Sequence, residues 1–216
     1  LPISFMMKID KFICNHVGVN TYLVYGDDKI TCVIDPGFAN DREFETFKDY
    51  VEKNELSIKR CLITHPHPDH IVGGGFIVNQ YNVIPELSPL SVELYEQFDL
   101  WAASIGFVDA KSFDVSYSLL DESVVDFGDL HFKVIYTPGH AEGSVCFYEE
   151  SEKVLFSGDV LFRSGIGRTD LPTGDYDTLC SYIKNRIFTL PDDVVVYPGH
   201  GDRTTVGYEK RSNPFF

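Results

Sequence analysis

Three of the chain's seven histidines, His65, His67 and His70, fall within six residues together with Asp69. Imidazole nitrogen and carboxylate oxygen are zinc-type ligands, and no thiolate is needed where such side chains converge. The cluster follows an apolar run, Leu62-Ile63, and so sits just past the end of a strand. Pro66 and Pro68 bar its continuation as helix or ladder strand. An extended or turning backbone sends His65 and His67 to one side, while Asp69 and His70 follow a turn and can face a second centre. The rest of the fold must then bring further donors to this point.

Three places supply a His or Asp after a strand and a small-residue turn. Phe132-Lys133-Val134-Ile135-Tyr136 leads through Thr137-Pro138-Gly139 to His140; Val154-Leu155-Phe156 leads through Ser157-Gly158 to Asp159; Val194-Val195-Val196-Tyr197 leads through Pro198-Gly199 to His200. Glycine beside each lets the backbone approach closely, and strand ends make rigid mounts for ligand-bearing loops. Seven donors gathered this way suit two ions sharing one carboxylate, with paired metals about 3.5 to 4 Å apart.

Short apolar, β-branched runs alternate with polar helical stretches, which predicts an α/β protein whose sheets are covered by helices. Strands are expected at Tyr22–Tyr25, Thr31–Ile34, Cys61–Thr64, Phe132–Tyr136, Ser144–Tyr148, Lys153–Phe156 and Val194–Tyr197. Apolar residues at three- and four-residue spacing predict helices over Arg42–Lys53 and Thr178–Ile187. A third helix is expected to begin after a capping Ser88, with Pro89 in its first turn, and to run towards Trp101.

The composition is that of an ordinary soluble protein, and 7–216 reads as a single domain. Residues 1–6, ahead of Met7-Lys8, read as a vector remnant or an upstream start. A net charge of -15 with no basic stripe argues against nucleic acid. With no run of about 18 apolar residues and no secretory pattern, no membrane is expected as a partner and the cytoplasm is the expected location. Five cysteines without a Cys-x-x-Cys pair fit neither a disulfide framework nor a thiolate zinc site, so they read as free thiols, mostly buried.

The run Thr64-His65-Pro66-His67-Pro68-Asp69-His70 resembles the His-x-His-x-Asp-His signature of the metallo-β-lactamase superfamily, and His140, Asp159 and His200 follow in the order of that family. The resemblance implies a four-layer αββα sandwich with metals at one edge of the paired sheets. It further implies that His65, His67 and His140 hold one ion and Asp69, His70 and His200 the other, with Asp159 bridging. Asp35-Pro36-Gly37, Gly158-Asp159-Val160-Leu161-Phe162, Gly165-Ile166-Gly167-Arg168-Thr169-Asp170, Tyr197-Pro198-Gly199-His200-Gly201 and the closing Gly207 to Phe215 stretch are similar to the short, single-domain, glyoxalase II-like (hydroxyacylglutathione hydrolase-like) branch. About 85 to 125 carries no such likeness. Glyoxalase II enzymes have an additional C-terminal helical domain that helps bind glutathione and that these 216 residues do not include. Many zinc β-lactamases place cysteine where Asp159 stands, which lowers the case for antibiotic hydrolysis.

The expected function is hydrolysis of a small thioester, S-acylglutathione-like, or an ester through a metal-bound hydroxide, with two divalent ions, zinc first and iron or manganese as alternatives. Asp69 is the expected catalytic group, orienting the hydroxide, and Asp35 the expected carboxylate partner of a metal-bound imidazole. A mononuclear-iron persulfide dioxygenase, using His65, His140 and Asp159, competes. Lactonase or β-lactamase chemistry is a further alternative, and a purely structural metal is disfavoured because structural zinc is a closed four-ligand site. His16 and His131 lack ligand neighbours and read as packing or surface residues. Arg168 and Asp170 read as loop-stabilising, and Phe98, Trp101 and Phe107 as core or covering aromatics, with a helix there able to cover the site. Lys210 and Arg211 read as solvated, the alternative being an anchor for an anionic substrate.

Overall fold

Alternation along the central strands divides the apolar side chains among three layers of core. A computed structural model describes residues 6–216, so the expectation for 1–6 lies almost wholly outside the described residues. The first sheet holds β1 (Lys8–Cys14), β2 (Val19–Tyr25), β3 (Ile30–Ile34) and β4 (Ser57–Leu62), in that order. A second, six-stranded sheet takes β5 (Val124–Phe127), β6 (Leu130–Tyr136), β7 (Val145–Glu149), β8 (Val154–Gly158), and, beyond a small hairpin of β9 (Leu161–Phe162) and β10 (Gly165–Ile166), β11 (Val195–Pro198) and β12 (Thr204–Thr205). Its order is β12-β11-β8-β7-β6-β5.

Successive strand residues point to opposite faces. On β2, Tyr22 and Val24 therefore enter the core between the sheets, while Val19 and Leu23 turn to the outer core of the first sheet. On β7, Val145 and Phe147 face the same inter-sheet core and Cys146 and Tyr148 the outer core of the second sheet. Helices α1 (Asp41–Lys53), α2 (Pro68–Ile71), α3 (Gly74–Tyr81), α4 (Val92–Tyr95) and α5 (Phe98–Ser104) belong with the first sheet, and α6 (Tyr176–Tyr182) and α7 (Val206–Ser212) with the second. The result is the expected αββα sandwich.

Helix α1 shows why these residues take this form. Phe44, Phe47 and Val51 form its buried stripe, and Asn40 Oδ1 accepts the Glu43 N–H at 3.0 Å as its N-cap. It makes the crossover between parallel β3 and β4, as α6 does between parallel β8 and β11. Burying each phenylalanine contributes about 1.5–3 kcal/mol.

Four expectations are corrected. The strand expected at Cys61–Thr64 starts earlier and ends at Leu62, because Ile63 donates to the Glu86 carbonyl at 3.0 Å and Thr64 is drawn to Asp35. Pro68 does not bar a helix: it opens α2 from the first-turn position, where its missing N–H costs nothing. The helix after Ser88 is broken into a 3₁₀ turn (Pro89–Ser91), α4 and α5, although Ser88 Oγ does accept the Leu90 N–H. The helix expected over Thr178–Ile187 begins at Tyr176 behind the Asp175 cap and finishes as a π-helical turn, Ile183–Ile187. Among the described residues no helix is long and apolar enough to cross a membrane.

Candidate metal centre

All seven predicted donors meet at one edge of the sandwich, because β4, β6, β8 and β11 all end there. The two sheets are stitched at that edge: Val145 donates to the Thr64 carbonyl at 2.9 Å and Asn20 to the Gly199 carbonyl at 2.7 Å. His65 follows β4, and His67, Asp69 and His70 lie at the start of α2. His140, Asp159 and His200 follow β6, β8 and β11. Two glycines make the approach possible. Gly158 sits at φ +48°, and a Cβ on Gly199 would lie 2.3 Å from Asp159 Oδ1 and 2.5 Å from His70 Cε1.

The donors fall into groups that can hold an ion: His65, His67 and His140; Asp69, His70 and His200; and His65, His70 and Asp159. In the first, His140 Nε2 is 3.1 Å from His65 Nε2 and 2.9 Å from His67 Nδ1. In the second, Asp69 Oδ2 is 3.1 Å from His200 Nε2 and 3.5 Å from His70 Nε2. Asp159 stands between them, with Oδ1 3.3 Å from His70 Nε2 and Oδ2 3.7 Å from both His140 and His200 Nε2.

Hydrogen bonds on the far side of four of the five rings decide which nitrogen faces inward; His67 has none, its Nε2 being buried without a partner. Asp35 Oδ2 accepts from His70 Nδ1 at 2.9 Å and from the Thr64 hydroxyl at 2.7 Å, and its Oδ1 accepts the Thr64 N–H at 2.7 Å. With its own proton given to Asp35, the Thr64 hydroxyl accepts from His65 Nδ1 at 3.0 Å. His140 Nδ1 donates to the Arg168 carbonyl at 2.7 Å, and His200 Nδ1 to the Gly18 carbonyl at 3.2 Å. The Nε2 atoms of His65 and His140 therefore present lone pairs to the centre, with His67 Nδ1 beside them, while the Nε2 atoms of His70 and His200 face the Asp69 and Asp159 carboxylates. Lone pairs facing one another across about 3 Å need a cation; three nitrogens around a tetrahedral zinc at about 2.0–2.1 Å stand about 3.3 Å apart, close to the spacing here. His70 Nε2 and Asp159 Oδ1 are buried without any hydrogen-bond partner, and buried polar atoms of this kind call for a partner that a metal ion would supply. The donors fit the metals.

Electrostatics divide the site. Burial, with its histidine neighbours, pushes His65 far below its ordinary value and His67 down to about 3, and burial also lowers His140. These rings stay neutral, as ligands must. Burial opposes a charge on His70, but Asp159, Asp69 and Asp35 outweigh it and hold its pKa well up; His200 is raised against burial by Asp69 and Asp159. Asp69 and Asp159 are in turn held low by the histidines despite their burial. This half of the site calls for positive charge.

Above the donors lies an open cavity of about 610 Å³, walled by Val17, Trp101, Ile105, Phe162, Ile166 and Leu171. A second hollow, about 680 Å³, lies beyond His16 and holds none of the donors. His16 is the packing and surface residue expected: exposed, it packs on Phe107 and donates from Nε2 to the Ile105 carbonyl at 3.0 Å, and it also lines the metal-side cavity. His131 is an exposed partner of Asp126, as expected. Trp101 covers His67 with ring centroids 4.7 Å apart, whereas Phe98 and Phe107 are core residues. Arg168 pairs with Asp170, and Lys210 and Arg211 pair with Asp192 away from the cavity. Sequence reasoning missed Thr64 as the partner of His65; only its place beside the cluster pointed to it.

Comparisons with known proteins agree with this geometry. The profile of the Metallo-beta-lactamase superfamily matches residues 15–200. A Haemophilus influenzae protein named hydroxyacylglutathione hydrolase GloC is 36% identical over 198 residues, covering 91% of this chain and 92% of its own. Among solved structures, the BLEG-1 B3 metallo-beta-lactamase superposes with a TM-score of 0.84 at 32% identity, covering 97% of this chain and 99% of that one. TTHA1623 in a di-iron-bound form gives 0.83 at 34% identity, covering 96% and 100%. Sheet order, the donors at one sandwich edge and a match over most of the sequence lead to one statement: this chain belongs to the metallo-β-lactamase superfamily.

Proposed function

We propose that the chain is a dinuclear metal-dependent hydrolase of small thioesters, S-acylglutathione-like, using two divalent ions, zinc first with iron or manganese as alternatives. One observation carries this reading: His65, His67 and His140 on one side and Asp69, His70 and His200 on the other meet at Asp159 beneath an open cavity. Structural zinc is normally enclosed by four protein ligands. Here each group offers three donors plus a shared carboxylate oxygen and opens towards a space that a small substrate can enter. The likeness to the Haemophilus influenzae relative named as a hydroxyacylglutathione hydrolase supports a thioester.

When bound, the ions supply an activated water and polarise the carbonyl oxygen. The chain's own residues do the positioning. Asp35 and Thr64 lock His70 and His65, and the Arg168 carbonyl locks His140. Asp69 is the candidate catalytic group. Its carboxylate faces the cavity beside His200, and its main-chain carbonyl is held by Asn15 Nδ2 at 3.0 Å, so it can orient the attacking water and take up its proton.

Zinc-loaded protein is expected to cleave S-acylglutathiones, to lose turnover on chelation and to regain it with zinc. Asp69→Asn should lower kcat about 10²- to 10⁴-fold, the range for a positioned acid or base. Full turnover in Asp69→Asn would remove Asp69 from this role, and absence of cleavage by the zinc-loaded protein would refute the thioesterase reading. Lactones and β-lactams in the same assay separate the related hydrolytic chemistries. A second reading is a single iron held by two histidines and one carboxylate for oxygen chemistry on a persulfide; the expected set was His65, His140 and Asp159, whereas the set that clusters is His65, His70 and Asp159, with His140 grouped with His65 and His67.

A further inference from the structure

The cavity above the donors is rich in carbon and poor in free charge. Val17, Trp101, Ile105, Phe162, Ile166 and Leu171 supply its walls, and beside the metal donors its charged or titratable lining is His16 and Arg168. Both ends of the Arg168 fork are engaged by Asp170, with Nε and Nη2 each 2.7 Å from a carboxylate oxygen.

Trp101 is built into this wall. Phe98 and Ala102, its neighbours on α5, are fully buried and anchor the helix. The end of α5 is tied to the turn between β1 and β2 by the His16 bond to the Ile105 carbonyl. The indole is half-buried, one side against His67 and the rest turned to the cavity.

We propose that this cavity selects its substrate by an uncharged, carbon-rich acyl group laid against Trp101, with Ile105 and Leu171 completing the contact; the proposal rests on the hydrolase reading. Trp101 is then a specificity-determining residue. Acyl groups bearing a carboxylate at their far end are disfavoured, because that end would be desolvated at the Trp101 wall, away from the metal donors, where the one cationic side chain, Arg168, is already paired with Asp170.

Two measurements on zinc-loaded protein test this. Trp101 is the chain's only tryptophan, so its emission reports on the wall itself. Titration with uncleavable S-alkylglutathiones, from methyl to hexyl, should change that emission, with Kd falling about 3- to 4-fold per methylene buried. In parallel, kcat/KM should climb from acetyl- through butanoyl- to hexanoyl-glutathione by a similar factor per methylene and be lowest for succinyl-glutathione. Trp101→Ala should flatten the series mainly through KM, Trp101→Phe should keep most of it, and Leu171→Ser should weaken it from another part of the wall. A series independent of chain length, or one led by succinyl-glutathione, overturns the proposal while leaving the hydrolase intact. Length-dependent binding without cleavage of any thioester overturns the hydrolase reading and leaves the apolar site standing.

Discussion

Asp35 carries more of this site than its position in an Asp-Pro-Gly turn announces. It holds a left-handed φ of +51°, a conformation that costs a non-glycine residue about 1–3 kcal/mol, and its buried carboxylate accepts from the Thr64 N–H, the Thr64 hydroxyl and His70. An amide has one acceptor oxygen where the carboxylate has two. Asp35→Asn should therefore weaken metal binding about 10- to 100-fold, the usual cost of losing an outer-shell partner, as read by competition with a chromogenic chelator; unchanged affinity would mean that Asp35 serves the turn alone. Glu209 plays a comparable part away from the metals. Fully buried, it accepts from the Ser164 N–H, the Thr204 hydroxyl and Asn213 Nδ2, and Asn213 also donates to the Gly165 carbonyl. It thus clamps the β9–β10 hairpin that carries Phe162 and Ile166 into the cavity. Glu209→Ala removes the acceptor of the buried Thr204 hydroxyl, at about 1–3 kcal/mol, together with its bonds to Ser164 and Asn213, so its denaturation midpoint should drop below the parent's; a midpoint within error of the parent's contradicts the clamp. At this scale the donors were legible because histidines and aspartates after strand-ending glycines are rare and chemically specific. The place of His16 in the cavity lining was not, since a lone histidine gives no sign that a distant helix end will fold over it.

At the scale of elements, legibility followed burial. Strands β2, β7 and β8, buried throughout, stand out as apolar runs. Strand β1, with Lys8, Asp10 and Lys11 in seven residues, does not, because as an edge strand it keeps water on one side and needs charge there. The helix expected to run towards Trp101 was legible in part: it breaks at Glu96-Gln97 into α4 and α5, and nothing local tells that Trp101 will lie over His67. Helix α1 offers a direct check on local encoding. Its cap combines Asn40 with Glu43, whose carboxylate reaches back to the N–H groups of Ala39 and Asn15 and so ties the helix start to the β1–β2 turn. Asn40→Ala should cost about 0.5–2 kcal/mol by equilibrium denaturation, and no loss would mean that Glu43 alone holds the helix start.

In the whole molecule, the metals would join the ends of two sheets that already share an apolar core and a few hydrogen bonds at that edge. Binding to the folded state alone adds about 4 kcal/mol at a thousand times Kd, so chelation should lower the thermal midpoint of the intact chain by several degrees. An unchanged midpoint would contradict a built metal centre. The thiols report on the integrity of the sandwich. Burial pushes Cys14 up to about 11 and Cys146 to about 12, and lifts Cys32 and Cys61 well above the ordinary thiol range. Alkylation at neutral pH should label Cys180, which is only partly buried, long before the other four, as seen by mass spectrometry; early labelling of Cys32 or Cys61 would mean that the sheets part readily. The central claim is the pair of ions sharing Asp159, and metal content by plasma mass spectrometry, on protein purified without added metal and assayed on a thioester from the same sample, tests it most directly. The dinuclear hydrolase predicts about two ions per chain with turnover, whereas a single iron per chain, with oxygen uptake on a persulfide and no thioester cleavage, would contradict it.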